Sequence, residues 1–153
     1  MPPVIIASLA SLKEFVGSEV SVTEWVEISQ ARIDQFAAAT GDHQWIHVDP
    51  ARALAASPFG TTIAHGFLTL SLLPHFLALA LRMEGVRMGV NYGLNRVRFT
   101  APVPVGSRLR ARFTLASVED IEGGAQTAWN VAVEREGADK PVCVAEWLTR
   151  RYE

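Results

Sequence analysis

Residues 63–81 read IAHGFLTLSLLPHFLALAL, and this segment says more about the architecture than any other part of the chain. From Phe67 to Leu81 a helix would be apolar on nearly every side, which is typical of a helix enclosed by the rest of a domain. A membrane span needs about 20 apolar residues, whereas this run is shorter and contains Pro74 and His75. The segment therefore predicts a buried helix from Phe67 to about Arg82.

After Gly85 the spacing of apolar residues changes to a period of two, which is typical of strands with one buried face. The predicted strands run through Val97 and Phe99, Leu109 to Leu115, Trp129 to Val133, and Val142 to Thr149. An antiparallel sheet beside an apolar helix indicates an α+β domain in which the sheet wraps around the helix. The edge strands of such a sheet favour pairing across a two-fold axis.

The part of the chain before residue 63 contains the signals of several short elements. They are a helix at 8–16, a strand at 20–28, a helix after the N-cap Ser29 that ends at Thr40-Gly41, and a short helix from Asp49-Pro50 to about residue 57. The segment from Gly41 to His47 is therefore predicted to be a loop just after a helix.

Length, charge and cysteine content narrow the class of protein. The 153 residues and 16.7 kDa fit one domain spanning 1–153. A net charge of -2 and a pI near 6.1 argue against nucleic-acid binding. Cys143 has no second cysteine to pair with and lies in an apolar strand pattern, so we expect it to be buried and inert. The N-terminal apolar patch lacks preceding basic residues, which favours a cytoplasmic protein without a membrane anchor.

The most informative polar stretch is GDHQWIHVDP at residues 41–50. Asp42 and His47 lie five residues apart on the predicted loop, where a turn can aim both side chains at one water. A carboxylate that takes a proton from water and an imidazole that donates one form a general acid/base pair. Two alternatives remain open on the residues alone. Asp42 can cap a turn while His47 is structural, or the pair can bind a metal with His43 and Asp49, although no recognised zinc spacing completes that set.

Two further features each have a functional and a structural interpretation. Gly66 lies at the start of the long helix, where free N–H groups can hold an oxyanion, but it can also simply permit close packing. Three arginines, Arg108, Arg110 and Arg112, lie at every second position of one predicted strand. They can form a solvated face of the sheet, or they can bind the phosphates of an anionic ligand tail. Nucleophilic catalysis is not indicated, because the chain has no G-x-S-x-G motif.

The motifs TGDHQWIH at residues 40–47 and TIAHGF at residues 62–67 resemble those of the MaoC-like dehydratases, the (R)-specific enoyl-CoA hydratases of hot-dog fold. The resemblance is strongest to the actinobacterial branch and runs from about Val22 to Thr149. The family signature Gly-Asp-x-Asn-Pro-aliphatic-His carries the catalytic Asp and His, which correspond to Asp42 and His47. Gln44 and Trp45 stand where the family usually has Asn and Pro.

The resemblance implies a mechanism in which Asp42 activates water for attack at C3 of a trans-2-enoyl thioester while His47 handles proton transfer at C2. It also implies that backbone N–H near Gly66 holds the thioester carbonyl and that the acyl tail runs along the apolar helix. We expect Gln44 to contact the substrate, or to orient the water or His47, through its amide. The implied partners are an acyl-CoA or acyl-carrier-protein thioester and a second subunit, most simply in a homodimer, with no cofactor and no metal.

Two other functions share the same fold. A catalytically weak subunit that binds acyl chains in a heterodimer would need neither Asp42 nor His47. A hot-dog thioesterase would place a carboxylate on or beside the central helix, and residues 65–81 contain no Asp or Glu. Both are less consistent with these residues than a hydro-lyase.

Overall fold

The computed structural model describes residues 2–153, in which short helices precede a long antiparallel sheet. The helices are α1 Leu9–Leu12, α2 Gln30–Thr40, α3 Trp45–Val48, α4 Pro50–Ala56, α5 Gly66–Ser71 and α6 Leu73–Ala80. The strands are β1 Val4–Ile6, β2 Glu19–Val22, β3 Val26–Glu27, β4 Leu81–Met83, β5 Met88–Arg98, β6 Arg108–Ile121, β7 Gly124–Arg135 and β8 Pro141–Tyr152. A 3-10 turn at Lys13–Phe15 extends α1.

The main sheet is antiparallel and has the order β2-β6-β7-β8-β5, with the short β3 also paired to β6. Strands β1 and β4 form a separate parallel pair in which Val4 lies opposite Leu81. The predicted period of two is confirmed on β6, where every second residue is buried: Leu109, Ala111, Phe113 and Leu115. The predicted α+β class is therefore confirmed.

The core lies between the buried face of the sheet and the pair α5–α6. Leu73, Phe76 and Leu77 of α6 are at most 3% exposed, and they belong to the same buried cluster as the inner residues of the sheet. On the sheet, the rings of Phe113 and Trp129 meet edge to face with centroids 5.9 Å apart. Burying a phenylalanine side chain such as that of Phe113 contributes about 1.5–3 kcal/mol, so this layer stabilises the fold.

The long helix predicted from Phe67 to about Arg82 is instead two helices, and α6 ends at Ala80, where β4 begins. Pro74 has no N–H to donate to the carbonyl of Leu70, so the hydrogen-bond ladder is interrupted where α5 passes into α6. Within the single chain, the two helices are not enclosed on all sides. One stripe of the pair stays exposed, formed by Phe67, Ser71, Pro74 and Ala78.

Three shorter elements also differ from prediction. The strand expected at 20–28 is divided into β2 and β3, and the segment predicted as a loop contains the beginning of α3. Strand β5 begins at Met88, well before the predicted Val97. Within residues 2–153, no helix is long and apolar enough to cross a membrane.

Cys143 lies on β8 opposite Val133 and is fully buried, as predicted. Burial raises the pKa of its thiol to about 11, because removal from water disfavours the thiolate. We expect the native protein to resist alkylation by iodoacetamide at pH 8, whereas protein unfolded in guanidinium chloride reacts readily. Alkylation of the native protein at the unfolded rate would contradict this placement.

The same shift makes a prediction about alkaline stability. The unfolded thiol titrates near 9, so above that pH the folded state retains a proton that the unfolded state loses. Below pH 9 the thiol is protonated in both states, and the stability that it contributes is fully present. Between pH 9 and about pH 11 the free energy of unfolding decreases by about 1.4 kcal/mol per pH unit, because only the unfolded state loses the proton. In denaturant unfolding at several pH values, the free energy of unfolding should fall more steeply between pH 9 and 11 in the wild-type protein than in Cys143→Ala, and the difference measures the contribution of the thiol.

Candidate active site

Asp42 is placed by the end of α2. Gly41 adopts a left-handed φ of 79°, and its N–H donates to the carbonyl of Ala37 at 2.8 Å, which ends the helix. Asp42 follows directly in the exposed loop, where its Oδ1 accepts a hydrogen bond from the Gln44 N–H at 3.3 Å. The local sequence therefore produces a short turn that carries an ionisable carboxyl on its surface.

His47 lies in α3 and is only 6% exposed. Its Nδ1 lies 2.7 Å from the carbonyl oxygen of Ile63, and because a carbonyl only accepts, Nδ1–H is the donor. Nε2 is thereby left for chemistry. The His47 carbonyl accepts from Gln30 Nε2 at 2.8 Å, and Gln30 Oε1 accepts from Thr62 Oγ1 at 2.5 Å. These bonds tie α2, α3 and the segment before α5 together around the imidazole.

The structure places Asp42 and His47 together, and it adds His65. One oxygen of the Asp42 carboxyl and one ring nitrogen of each histidine all lie within 4.8 Å of one another. A water with hydrogen bonds of about 2.8 Å to two such atoms spans that separation at an angle of up to about 120°. The space between Asp42 and His47 therefore suits one water.

His65 is a further residue of the candidate site, and its sequence pattern assigned it no role. It is 2% exposed, its Nε2 lies 3.0 Å from the Asp42 carbonyl oxygen, and its ring stacks on that of His47 with centroids 3.9 Å apart. The signal that could have found it is a histidine directly before the glycine that begins the long apolar segment.

Of the metal set considered on sequence grounds, the structure brings together Asp42 and His47 but not His43 or Asp49. His43 is exposed, and Asp49 Oδ1 accepts the Arg52 N–H at 3.0 Å as the N-cap of α4. The rings of His47 and His65 are nearly parallel, at an interplanar angle of 24°. A metal binds in the ring plane at about 2.0–2.1 Å, so stacked imidazoles direct their lone pairs side by side and not at one ion. The geometry favours an acid/base pair over chelation.

Gly66 is the first residue of α5, and its N–H donates to no acceptor among residues 2–153. A Cβ at this position would lie 2.9 Å from ring carbons of Phe99, so the residue also permits a close approach of two segments. A cavity of about 360 Å³ borders it, lined in part by Ile63, Thr69 and Phe99. Both interpretations of Gly66 are therefore compatible with the structure.

The two positions that depart from the family signature have different environments. Gln44 is exposed, and its side-chain amide makes no hydrogen bond to a described residue. The backbone of Gln44 helps to hold α3, since its carbonyl accepts the His47 N–H at 3.0 Å. Trp45 is half-buried, with the Arg52 guanidinium 4.3 Å from the centroid of its ring.

The strand arginines form a network of ion pairs at the surface, which favours the solvated-face interpretation over a phosphate contact. The side-chain hydrogen bond to Glu134 is the largest cause of a raised pKa for Arg112. The network consists of Arg108 with Glu136 at 2.7 Å, Arg110 with Glu134 at 3.4 Å, and Arg112 with Glu134 and with Glu19 at 3.0 Å. Arg110 also lies 4.4 Å from the centroid of the Trp25 ring.

Comparison with known proteins gives one family. The family model described as a MaoC-like domain matches residues 12–136. The chain is 55% identical over 144 residues to 3-hydroxyacyl-thioester dehydratase Z of Mycobacterium tuberculosis, covering 94% of this chain and 95% of that protein. It is 47% identical over 150 residues to nodulation protein N of Rhizobium leguminosarum bv. viciae, covering 93% and 89% respectively.

A solved structure shares the fold. The R-hydratase PhaJ1 from Pseudomonas aeruginosa, in its unliganded form, has a TM-score of 0.73 at 26% identity, covering 97% of this chain and 87% of that chain. The hot-dog architecture implied by the sequence resemblance, with an antiparallel sheet around central helices, is thereby confirmed.

Proposed function

The chain belongs to the family of MaoC-like domains, and on that premise we propose that it is a hydro-lyase acting on acyl thioesters. It adds water across the double bond of a trans-2-enoyl thioester to form the (R)-3-hydroxyacyl thioester, and it removes water in the reverse direction. The observation that carries this proposal is the convergence of the Asp42 carboxyl and the His47 imidazole on a space of one water. The acyl group is carried by coenzyme A or an acyl carrier protein, which present the same phosphopantetheine thioester.

In the proposed mechanism the two side chains divide the proton transfers. The Asp42 carboxylate takes a proton from the water while the water oxygen bonds to C3. His47, protonated at Nε2 and held at Nδ1 by the Ile63 carbonyl, donates a proton to C2. Asp42 ends the turnover protonated and His47 neutral, so a proton passing back between them restores the starting forms. Their closeness suits this exchange.

Two further parts of the substrate have matching features. The free Gly66 N–H can donate to the thioester oxygen, where negative charge develops as C3 is attacked. Two adjoining cavities of about 270 and 410 Å³ share Pro74 and Asn91 and run along α5–α6 beside β5. We assign this groove to the acyl tail, which is apolar like much of its lining.

Hydration is tested by adding purified protein to crotonyl-CoA and to a longer trans-2-enoyl-CoA and following the absorbance of the conjugated thioester. We expect rapid loss of that absorbance and oxidation of the product by a dehydrogenase specific for (R)-3-hydroxyacyl-CoA. Absence of any loss, with these substrates and with the matching acyl-carrier-protein thioesters, would overturn the proposal and favour a non-catalytic subunit.

We also propose a homodimer, on the evidence of β5. This strand ends the main sheet, and its outer edge has no partner among the described residues. Its apolar residues Met88, Val90, Tyr92 and Leu94 are each 42–54% exposed. A long, apolar and unpaired edge is a template for another strand. An antiparallel β5–β5 contact about a two-fold axis would use its free N–H and C=O groups.

The double substitution Val90→Glu/Leu94→Glu is expected to convert the dimer to a monomer at micromolar concentration, because it introduces charges into the apolar edge that the contact would bury. Multi-angle light scattering after size-exclusion chromatography measures the change. Leu54→Glu is the matched control, since Leu54 is 76% exposed on α4, away from β5. A wild-type monomer, or a charged variant that stays dimeric, would refute this assembly.

A further inference from the structure

His65 joins the separate pieces of the candidate active site through three contacts. Its Nε2 lies 3.0 Å from the Asp42 carbonyl oxygen, and its ring stacks on His47 at 3.9 Å. On another side the Phe36 ring of α2 lies 4.9 Å away and tilted by 59°. The side chain is 2% exposed, so it is held by its neighbours and not by solvent.

The hydrogen bond to Asp42 also fixes the tautomer of His65. A carbonyl only accepts, so Nε2–H donates, and in the neutral ring Nδ1 carries the lone pair. That Nδ1 is buried and has no hydrogen-bond partner among the described residues. The two stacked histidines therefore bond through different nitrogens: His47 donates from Nδ1 and His65 from Nε2.

The hydrogen bond from His65 is the main constraint on the position of Asp42. Its other hydrogen bonds stay within the exposed turn: the long contact of its N–H with Thr40 Oγ1 at 3.4 Å, and that of its Oδ1 with the Gln44 N–H at 3.3 Å. Among residues 2–153, His65 supplies the only hydrogen bond that ties Asp42 to the buried part of the protein.

His47 is constrained by the same side chain in another direction. Its bond to the Ile63 carbonyl fixes the imidazole within its own plane, but it does not prevent the ring from tipping out of that plane. The face of His65, stacked at an interplanar angle of 24°, opposes that tipping.

We propose that His65 is a positioning residue for the hydro-lyase reaction, an inference that rests on the proposed function. It sets the separation of the Asp42 carboxylate and His47 Nε2 by a hydrogen bond to one residue and a stacked face against the other. Because it supports the groups that transfer protons and not those that hold the thioester, its loss acts on kcat and leaves KM nearly unchanged. A displacement of about 1 Å in such a pair lowers the rate about 100-fold.

Three variants separate the two contacts. His65→Gln retains a donor at the position of Nε2 but has no ring, His65→Phe retains the ring face but has no donor, and His65→Ala has neither. With crotonyl-CoA we expect kcat to fall about 100-fold in His65→Ala and about 10-fold in each of the other two, with KM within about threefold of wild type. His75→Gln, which alters an exposed histidine on α6, is the control and keeps the wild-type kcat.

Amide hydrogen exchange of a peptide covering residues 41–46 gives a readout that needs no activity. Exchange should be faster in His65→Phe and His65→Ala, which lack the bond to Asp42, and close to wild type in His65→Gln. Wild-type kcat in all three variants would overturn the inference. The inference would also be overturned if all three variants lost kcat to the same extent and lost thermal stability in parallel. Unchanged amide exchange in His65→Phe would overturn it as well. If wild type hydrates no thioester, the proposed function fails, while the exchange data still decide whether His65 anchors Asp42.

Discussion

Asp42→Asn is expected to lower kcat for hydration of crotonyl-CoA about 10³-fold while the protein remains folded. The amide has the size of the carboxylate and can still accept the Gln44 N–H through its oxygen, so the turn is preserved. It cannot take the proton from water. His47→Asn should have an effect of the same order, because its amide nitrogen can take the place of Nδ1 and donate to the Ile63 carbonyl, while nothing replaces Nε2.

Steady-state kinetics together with circular-dichroism melting measure these effects. His43→Gln is the matched control, because His43 is exposed in the same turn and should be replaced without loss. The double variant Asp42→Asn/His47→Asn should be no slower than the slower single variant, since residues that act as a unit are not additive. Wild-type activity in either single variant would remove the acid/base mechanism.

Gly66→Pro in a Phe99→Leu background is expected to lower kcat about 10²- to 10³-fold relative to Gly66→Ala in the same background. The two double variants both add a Cβ, and the smaller leucine side chain makes room for it where the Phe99 ring would lie 2.9 Å away. Proline removes the N–H that we assign to the thioester oxygen. It is also tolerated at the first position of a helix, and His65 already has the φ of -61° and ψ of 137° that suit a residue before proline.

The single variant Gly66→Ala separates packing from oxyanion binding. It keeps the N–H but contacts the Phe99 ring, so it should lose stability and activity, and Phe99→Leu should restore both. Thermal melting measures the first effect and kcat the second. If the proline and alanine double variants are equally active, Gly66 serves packing alone.

The elements that build the core could be predicted because their pattern is local. Leu109 to Leu115 alternate with arginines and a threonine along β6, and the period alone identifies the strand and its buried face. The first half of β5 also alternates, with apolar Met88, Val90, Tyr92 and Leu94. The residues between them are Gly and Asn, which are weak strand formers, and a register shift between Asn91 and Gly93 interrupts the alternation, so that Leu94 lies opposite the buried Trp147. Because each of these apolar residues is 42–54% exposed, the pattern marks a surface strand and not part of the core.

The residues of the candidate site also differ in how far they could be predicted from the sequence. Asp42 and His47 are close in the chain, so their spacing was enough to predict that they meet. His65 contacts the Asp42 carbonyl across 23 residues, and this contact depends on how α5 docks against the turn after α2. The break between α5 and α6 follows from Pro74. The continuous apolar run around this proline favoured one long helix, so the break was not predicted.

The parallel pair of β1 and β4 has a consequence for how the chain is made. Leu81 leaves the ribosome about 77 residues after Val4, its partner in the pair, which takes about 4 to 15 s at about 5 to 20 residues per second. Throughout that time Val4–Ile6 is an apolar segment with no strand to pair with, although Ile6 is 1% exposed in the finished protein. The burial of Ile6 beneath this pair therefore comes late, and the segment stays exposed to solvent from early in translation until β4 emerges.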